Sequence, residues 1–270
     1  MASEIHMPRS RRSIVTKSNA LIGAKYELSL VEHRVILACA AQLDGRKPLP
    51  KDNQFTVTAS SFAEMFEVPL CNAYVCLANA ANSLFDRDIA SIGGTVQQRM
   101  RWVYMVEYRS GEGRIVLGFS PTIAPYLTRL NRQFTSYCLS DIRTLSSTNS
   151  IRLYEMLIQF RNTGVFSIAL DELRERLNGS KKYPRYSNFR QRIISPTVSE
   201  LNQKTSLEVE VIEVKEGRRV ARLEFGFRDR SPANKKAPIE GEFAESKEVR
   251  RVARLKTWVG DKKSNISALA

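Results

Sequence analysis

The sequence predicts an α+β chain made of two tandem copies of one small domain, with basic tails at both ends, and three observations carry that reading. The element order helix, strand, short helix, longer helix, β-hairpin can be read twice along the chain. At an offset of 111 residues, Phe55, Val57, Phe62, Glu64 and Phe66 align with Phe166, Ile168, Leu173, Glu175 and Leu177. Chance matches among apolar residues are common, so the shared element order outweighs these five positions. Third, a formal net charge of +14 over 270 residues sets up a positive potential that attracts polyanions. Three helices with a hairpin wing, the winged-helix order, is an architecture that presents one helix to duplex DNA. The chain therefore divides into a flexible arm over 1–17, a first winged helix over 18–135, a second over 136–229 and a mobile basic tail over 230–270.

In the first unit, Ser29-Leu30-Val31-Glu32 is a capping box in which the serine bonds the glutamate amide and the glutamate reaches back. Leu30, His33, Ile36, Leu37, Ala40 and Leu43 continue that helix until Gly45 and Pro48 stop it. A strand over Gln54 to Val57 leads to a second capping box, Ser61-Phe62-Ala63-Glu64, and a short helix to Phe66. After Pro69 a third helix, Asn72 to Phe85, places Val75, Leu77, Ala81, Leu84 and Phe85 on its core side. Met100 to Arg109 and Arg114 to Ser120 read as a hairpin around Ser110-Gly111-Glu112-Gly113. Pro121 then opens a helix that runs to about Leu130 and closes the domain.

The second unit repeats the order. Its helix from Thr148 to Phe160 carries Ile151, Tyr154, Leu157 and Ile158 on one stripe. Val165 to Ile168 is a strand, Asp171 to Leu177 a short helix, and Ser187 to Gln203 a long one. The hairpin Leu207 to Lys215, Arg219 to Phe227 completes it.

Several chemistries are excluded by what is missing. The only histidines are His6 and His33, so the His-x-His metal pair of a nicking initiator cannot form, and no metal or other cofactor is expected. His33 reads as a core histidine. No Gly-x4-Gly-Lys-Ser/Thr loop is present, because Gly93-Gly94 is followed by Thr95, which argues against ATP-driven work. Cys39, Cys71, Cys76 and Cys138 make no CxxC pair and read as reduced core thiols. No run approaches the ~20 apolar residues of a spanning helix, and no apolar leader follows Arg9, Arg11 and Arg12. A cytoplasmic bacterial protein with no enzymatic chemistry and no membrane partner is the expectation.

The charge concentrates at one place. Between Gly179 and Arg192 lie Lys181, Lys182, Arg185, Arg190 and Arg192, with no acid among them. Ser187 is a candidate N-cap, and a helix N-terminus favours phosphate. On a wheel of 100° per residue, Phe189, Ile193, Ile194, Val198 and Leu201 point inward, while Gln191, Arg192, Ser195, Ser199 and Asn202 point outward. Outward Gln and Arg suit adenine and guanine edges, so Arg185, Gln191, Arg192 and Ser195 are the candidate base readers. Arg190 projects between the apolar residues and should run toward the helix start and the phosphates. With it, Lys181, Lys182, Ser187, Asn188 and the wing arginines Arg218, Arg219 and Arg222 are the candidate phosphate contacts. Pro196 removes one backbone hydrogen bond inside this helix. By contrast, the third helix of the first unit carries no Lys or Arg, so that unit should read little sequence.

Two stretches, TKSNALIGAKYELSLVEHRVIL over 16–37 and YSNFRQRIISPTVSELNQKT over 186–205, resemble the hallmark segments of the iteron-binding plasmid replication initiators of the Rep_3 type. The similarity spans about residues 15 to 228. It implies two winged helices, the second reading the major groove of each iteron and the first touching backbone or pairing subunits. It also implies origin binding as monomer and repression of the chain's own promoter, at an operator inverted repeat, as a dimer made through the first domain. Host replication initiator and replicative helicase would be partners. The family's base-reading positions fall on Arg185, Gln191 and Arg192. Where many relatives carry three basic residues after the Phe, this chain has Arg190-Gln191-Arg192, which points to a different preferred base. A winged-helix transcriptional regulator without a replication role would need the same reading helix and stays open on the residues alone.

Overall fold

A computed structural model describes residues 13–230 apart from 51, 91–97, 131 and 178–181. Its first element corrects the flexible arm. Ile14–Ser18 is a strand, β1, whose alternation buries Val15 and Lys17. Lys17 reads as a polar tail residue, but its charge is matched inside the protein, as shown below. Residues 1–12 and the tail beyond 230 lie outside the described residues.

Ser18 caps α1 (Asn19–Gly23) by accepting from the Leu21 amide at 3.2 Å. A two-residue strand, β2 (Lys25–Tyr26), follows, then α2 (Leu30–Ala40), opened by the expected box: Glu32 N–H to Ser29 Oγ at 3.3 Å and Ser29 N–H to Glu32 Oε2 at 2.6 Å. After β3 (Gln54–Thr58), α3 (Ala59–Phe66) starts three residues earlier than expected. Thr58 is its N-cap and Ser61 takes the reciprocal role, each side chain accepting the other's amide at 3.2 Å. Ser61 is therefore inside the helix and not its cap.

In α4 (Leu70–Leu84) the inward stripe is Ala73, Leu77, Ala80 and Leu84. Val75, expected in the core, is 60% exposed, and Phe85, just past the helix, is 44% exposed. Small alanines at 73 and 80 let the helix approach its neighbours closely, which turns Val75 outward. Cys71 is exposed too, against the expectation of a core thiol.

The expected strand from Met100 is divided. β4 (Asp88–Ala90) and β5 (Arg99–Arg101) pair with β2 in a small sheet of order β2-β4-β5, and β6 (Val103–Arg109) belongs to another sheet. The chain changes sheets at Trp102, whose side chain is fully buried. β6 turns through one 3-10 turn, Ser110–Glu112, into β7 (Arg114–Phe119). Gly113 at the end of that turn has φ +58° and lies under the Tyr74 ring, where a Cβ would collide. From Pro121 the chain makes turns and one short 3-10 turn, Ala124–Tyr126, in place of the expected helix, because Pro125 disfavours helical backbone at Ala124 and has no N–H to give.

β8 (Phe134–Cys138) runs antiparallel to β1, from Ile14 opposite Cys138 to Ser18 opposite Phe134. The expected border at 135/136 thus falls inside a strand. α5 (Thr148–Ile158) is buried at every position from Ser150 to Ile158, so it is a central spine and not a one-striped surface helix. β9 (Val165–Ala169) and α6 (Leu170–Arg176) follow. The long helix of the second unit is α7 (Tyr186–Phe189), a π-helical turn over Arg190–Ile194, and α8 (Ser195–Lys204) in continuous succession. β10 (Leu207–Glu216) and β11 (Arg219–Asp229) form the last hairpin.

The repeat is visible in the sheets. β3-β7-β6 and β9-β11-β10 have the same order, each lone strand pairing with the second strand of its hairpin. Phe55 and Val57 face Leu117 and Ile115, as Phe166 and Ile168 face Phe225 and Leu223. Each apolar member of the five aligned pairs is buried, and both glutamates are exposed. Two winged helices with a shared internal plan are the architecture.

The two units meet across a charged but buried seam on α5. Lys17 Nζ donates to Glu155 Oε1 at 2.7 Å, and the Tyr137 hydroxyl donates to the same oxygen. Arg152 Nη2 reaches the Ala24 carbonyl at 2.6 Å while its guanidinium lies 3.8 Å from the Tyr26 ring centroid. His33 on α2 is fully buried beside this group. Burial first, then the nearby charges of Lys17 and Arg152 against that of Glu155, push its pKa from 6.5 down to about 3. The unfolded chain therefore takes up a proton below pH 6.5 that the folded chain refuses until about pH 3, so stability present above pH 6.5 is lost as pH falls across that window. His33→Leu is expected to remove up to about 1.4 kcal/mol per pH unit of acid sensitivity between pH 6.5 and 4.5. Denaturant titrations of both proteins across that range with equal pH slopes would show His33 to be protonated in the fold.

Candidate nucleic-acid interface

The helix over 186–204 is positioned from beneath by its own apolar side. Phe189, Ile194, Thr197 and Leu201 are buried, with Ile193 and Val198 half-buried. The five-residue step from Phe189 to Ile194 spans the π turn, in which the Ser195 N–H bonds the Arg190 carbonyl five residues back. This wide turn lies immediately before Pro196, whose missing N–H could not have continued a regular helical ladder. On a wheel of constant 100° steps Thr197 falls between Ile193 and Leu201, on the inward side, and it escaped notice because it is polar by type.

The opposite side is an exposed stripe of Ser187, Asn188, Gln191, Arg192, Ser195 and Ser199. Four of these, Gln191, Arg192, Ser195 and Ser199, face outward as expected. Asn202 does not: its side chain clamps the Val209 backbone, donating to the carbonyl at 3.1 Å and accepting from the amide at 2.7 Å. Ser187 is not the N-cap either. Arg185 takes that place, exposed and without a side-chain cap bond, so the N-cap side chain gives the first-turn amides no acceptor.

Arg190 has a partner on the protein that the sequence reading did not include. Its guanidinium does run back to the first turn of the helix, but there it forms an ion pair with Glu213 on β10. Glu213 also accepts the Tyr186 hydroxyl at 2.7 Å. Both partners went unnoticed in the sequence, although the alternation Leu207, Val209, Val211, Glu213 places Glu213 on the side of β10 that packs against the helix.

The wing tip is a two-residue turn, Gly217-Arg218, with Gly217 at φ +62° and Arg218 at ordinary φ, as a hairpin with glycine first requires. Lys215, Arg218 and Arg219 are exposed there. A bulge shifts the register between Val214 and Lys215 and twists the tip. Arg222 lies below it, half-buried, with Nη2 donating to Ser167 Oγ at 3.1 Å on β9. It faces the sheet and is not part of the tip. Lys182 is exposed near the Tyr183 ring, and Lys181 lies outside the described residues.

In the first unit the equivalent helix, α4, shows a different surface: Leu70, Tyr74 and Val75 are exposed, and no charged residue occurs between 70 and 84. The basic stripe and wing thus belong to the second unit alone.

Residues 14–158 match the family described as Initiator Replication protein, WH1, and residues 169–227 match Initiator Rep protein, WH2. The chain belongs to this family of replication initiators. The first match ends at Ile158, the last residue of α5, and the second begins at Ala169, the last residue of β9. Among relatives of the initiator family, the PI protein of Escherichia coli is 24% identical over 263 residues, covering 84% of this chain and 86% of the relative. A replication initiation protein of Escherichia coli is 27% identical over 207 residues, covering 73% and 65%. The crystal structure of the Pi initiator protein in complex with iteron DNA superposes with a TM-score of 0.70 at 24% identity, covering 81% of this chain and 98% of that one. The fold is that of a tandem winged-helix plasmid initiator. Among the described residues, no helix is long and apolar enough to cross a membrane.

Proposed function

We propose that this initiator acts at a plasmid origin by laying the helix over 186–204 in the major groove of repeated DNA sites. The observation that carries the reading is the single exposed stripe of that helix beside a basic wing. Arg185, Gln191, Arg192 and Ser195 read base edges, Lys182, Ser187 and Asn188 hold phosphates at the helix start, and Arg218 and Arg219 hold them at the wing. A dimer made through the first unit, repressing the chain's own promoter at an inverted repeat, is the second part of the proposal. The charge-free, partly apolar surface of α4 supports a protein-facing task for that unit. Host replication initiator and replicative helicase are the proposed partners, in the bacterial cytoplasm.

Footprinting the full chain on the noncoding DNA of its own plasmid tests this, with protection of tandem direct repeats expected. Arg218→Ala or Arg219→Ala should weaken binding to repeat and random duplex alike and flatten the salt dependence by about one phosphate equivalent, a slope change of ~0.9. Protection of no repeated element would end the proposal, and a wing variant that altered sequence preference would move those arginines into base reading.

A further inference from the structure

A carboxylate at a surface built for DNA needs a reason, because phosphates repel it. Glu213 occupies such a place: it lies on the wing strand, between the wing and the start of the reading helix, and its side chain is only 21% exposed. The Tyr186 hydroxyl, on the first turn of the helix, fixes the carboxylate at 2.7 Å, and the carboxylate in turn holds the Arg190 guanidinium. Burial pushes the Tyr186 hydroxyl above its ordinary pKa, with the Arg190 charge opposing, so tyrosine stays the donor in this bond.

Resting on the proposed DNA reading, we infer that Glu213 is a positioning and specificity-determining residue that keeps Arg190 on the protein and off the phosphates. An arginine free at the helix start would bind any duplex, since phosphate contact carries no sequence information and supplies most non-specific affinity. Paired to Glu213, Arg190 adds no net charge to the interface. Discrimination then depends on the unpaired outward residues, Gln191 and Arg192 first. The ordinary weakness of exposed ion pairs is offset here because Tyr186 has already immobilised one partner and the carboxylate is mostly shielded from water.

The test uses Glu213→Gln, which keeps an acceptor for Tyr186 and removes the charge. Binding of the full chain to repeat and random duplex is measured from 50 to 200 mM salt. For Glu213→Gln, the random-duplex salt slope is expected to steepen by ~0.9, so that affinity falls about 3.5-fold more across that range than for the unaltered chain. Affinity for random duplex at 50 mM should rise and the repeat-to-random ratio should fall. Arg190→Ala/Glu213→Gln should return slope and ratio to those of the unaltered chain. Glu210→Gln makes the same charge change at an exposed position on the other face of β10 and should leave the slope unaltered. A steeper slope in Glu210→Gln as well would mean a general charge effect and overturn the inference. So would an unaltered slope in a Glu213→Gln chain of native thermal stability. Should Glu213→Gln not fold, Arg190→Lys, which loosens the pair and keeps the charge, must steepen the slope in its place. Failure of the unaltered chain to distinguish repeat from random duplex would instead reject the DNA reading itself.

Discussion

Lys17→Met should destabilise the folded chain by about 3–5 kcal/mol, the cost of leaving one member of a buried ion pair without its partner. Both side chains of the Lys17–Glu155 pair are fully buried, so Glu155 would remain as an uncompensated carboxylate in the core. Burial raises its pKa, and the charge and hydrogen bonds of Lys17 with the Tyr137 hydroxyl more than reverse that, leaving it below the ordinary value. Without Lys17 the raising influence dominates, so the folded variant holds a proton that the unfolded chain releases, and the stability penalty should shrink as pH falls and the buried carboxyl becomes neutral. Lys17→Met/Glu155→Met should recover most of the loss, because replacing a whole buried pair with apolar groups is often neutral or better. Only the Tyr137 hydroxyl would then lack its acceptor, at about 1–3 kcal/mol. Guanidinium denaturation read by two probes supplies the numbers. A single-variant cost under about 1 kcal/mol would show that water reaches the pair and that β1 is not docked in solution.

The position of this pair explains why the seam is charged. Strand β1 and strand β8 belong to the first unit, and α5 lies between that unit and α8 and β9 of the second. An apolar contact could be satisfied at many registers, whereas Lys17 to Glu155 and Arg152 to the Ala24 carbonyl have one geometry each. On the second side, Glu200 of α8 accepts from the Ser146 amide at 2.7 Å and from Lys204 at 2.8 Å, fixing the helix to the segment that leads into α5. The helix over 186–204 is thus held in one orientation relative to the first unit by directional bonds, and packing supplies the rest.

The repeated winged-helix order was legible because its long elements carry strong periodic signals: the Ser29 box, the alternation Phe55, Val57, and the stripe of α5. What escaped has particular physical causes. β2, β4 and β5 are two or three residues long, too short for any period to register. β1 was hidden because Lys17 is polar by type and its compensating Glu155 is 138 residues away. Thr58 and Ser61 are both good caps, and only the backbone says which one is at the helix boundary. On the helix over 186–204, the outward residues Gln191 and Arg192 were readable from the wheel, since the π turn begins only at Arg190 and its phase error accumulates later, at Asn202, whereas Thr197 lies on the inward side of the wheel and was hidden by its hydroxyl. Glu213 was readable in principle from strand alternation, yet its partner lies on another element, and pairing across elements has no local signature.

Arg192→Ala is the change with the largest expected effect on recognition, about 1–3 kcal/mol on a repeat site and much less on random duplex. The reasoning starts from contrast within one turn. Arg190 and Arg192 are two residues apart, and the first is committed to Glu213, while the second is exposed and has no ion-pair partner among the described residues. A guanidinium is a planar fork that matches the two acceptors of a guanine edge, so on the proposed reading Arg192 would discriminate among bases in a way a point charge cannot. Arg192→Lys separates the two contributions, since lysine keeps the attraction to the duplex and loses the fork. Random-duplex affinity should survive in Arg192→Lys while the repeat-to-random ratio falls by up to the same margin as in Arg192→Ala, about fivefold to more than a hundredfold. Competition titrations at one fixed salt concentration measure both. Equal losses on repeat and random DNA would assign Arg192 to a phosphate and leave Gln191 and Arg185 as the base readers.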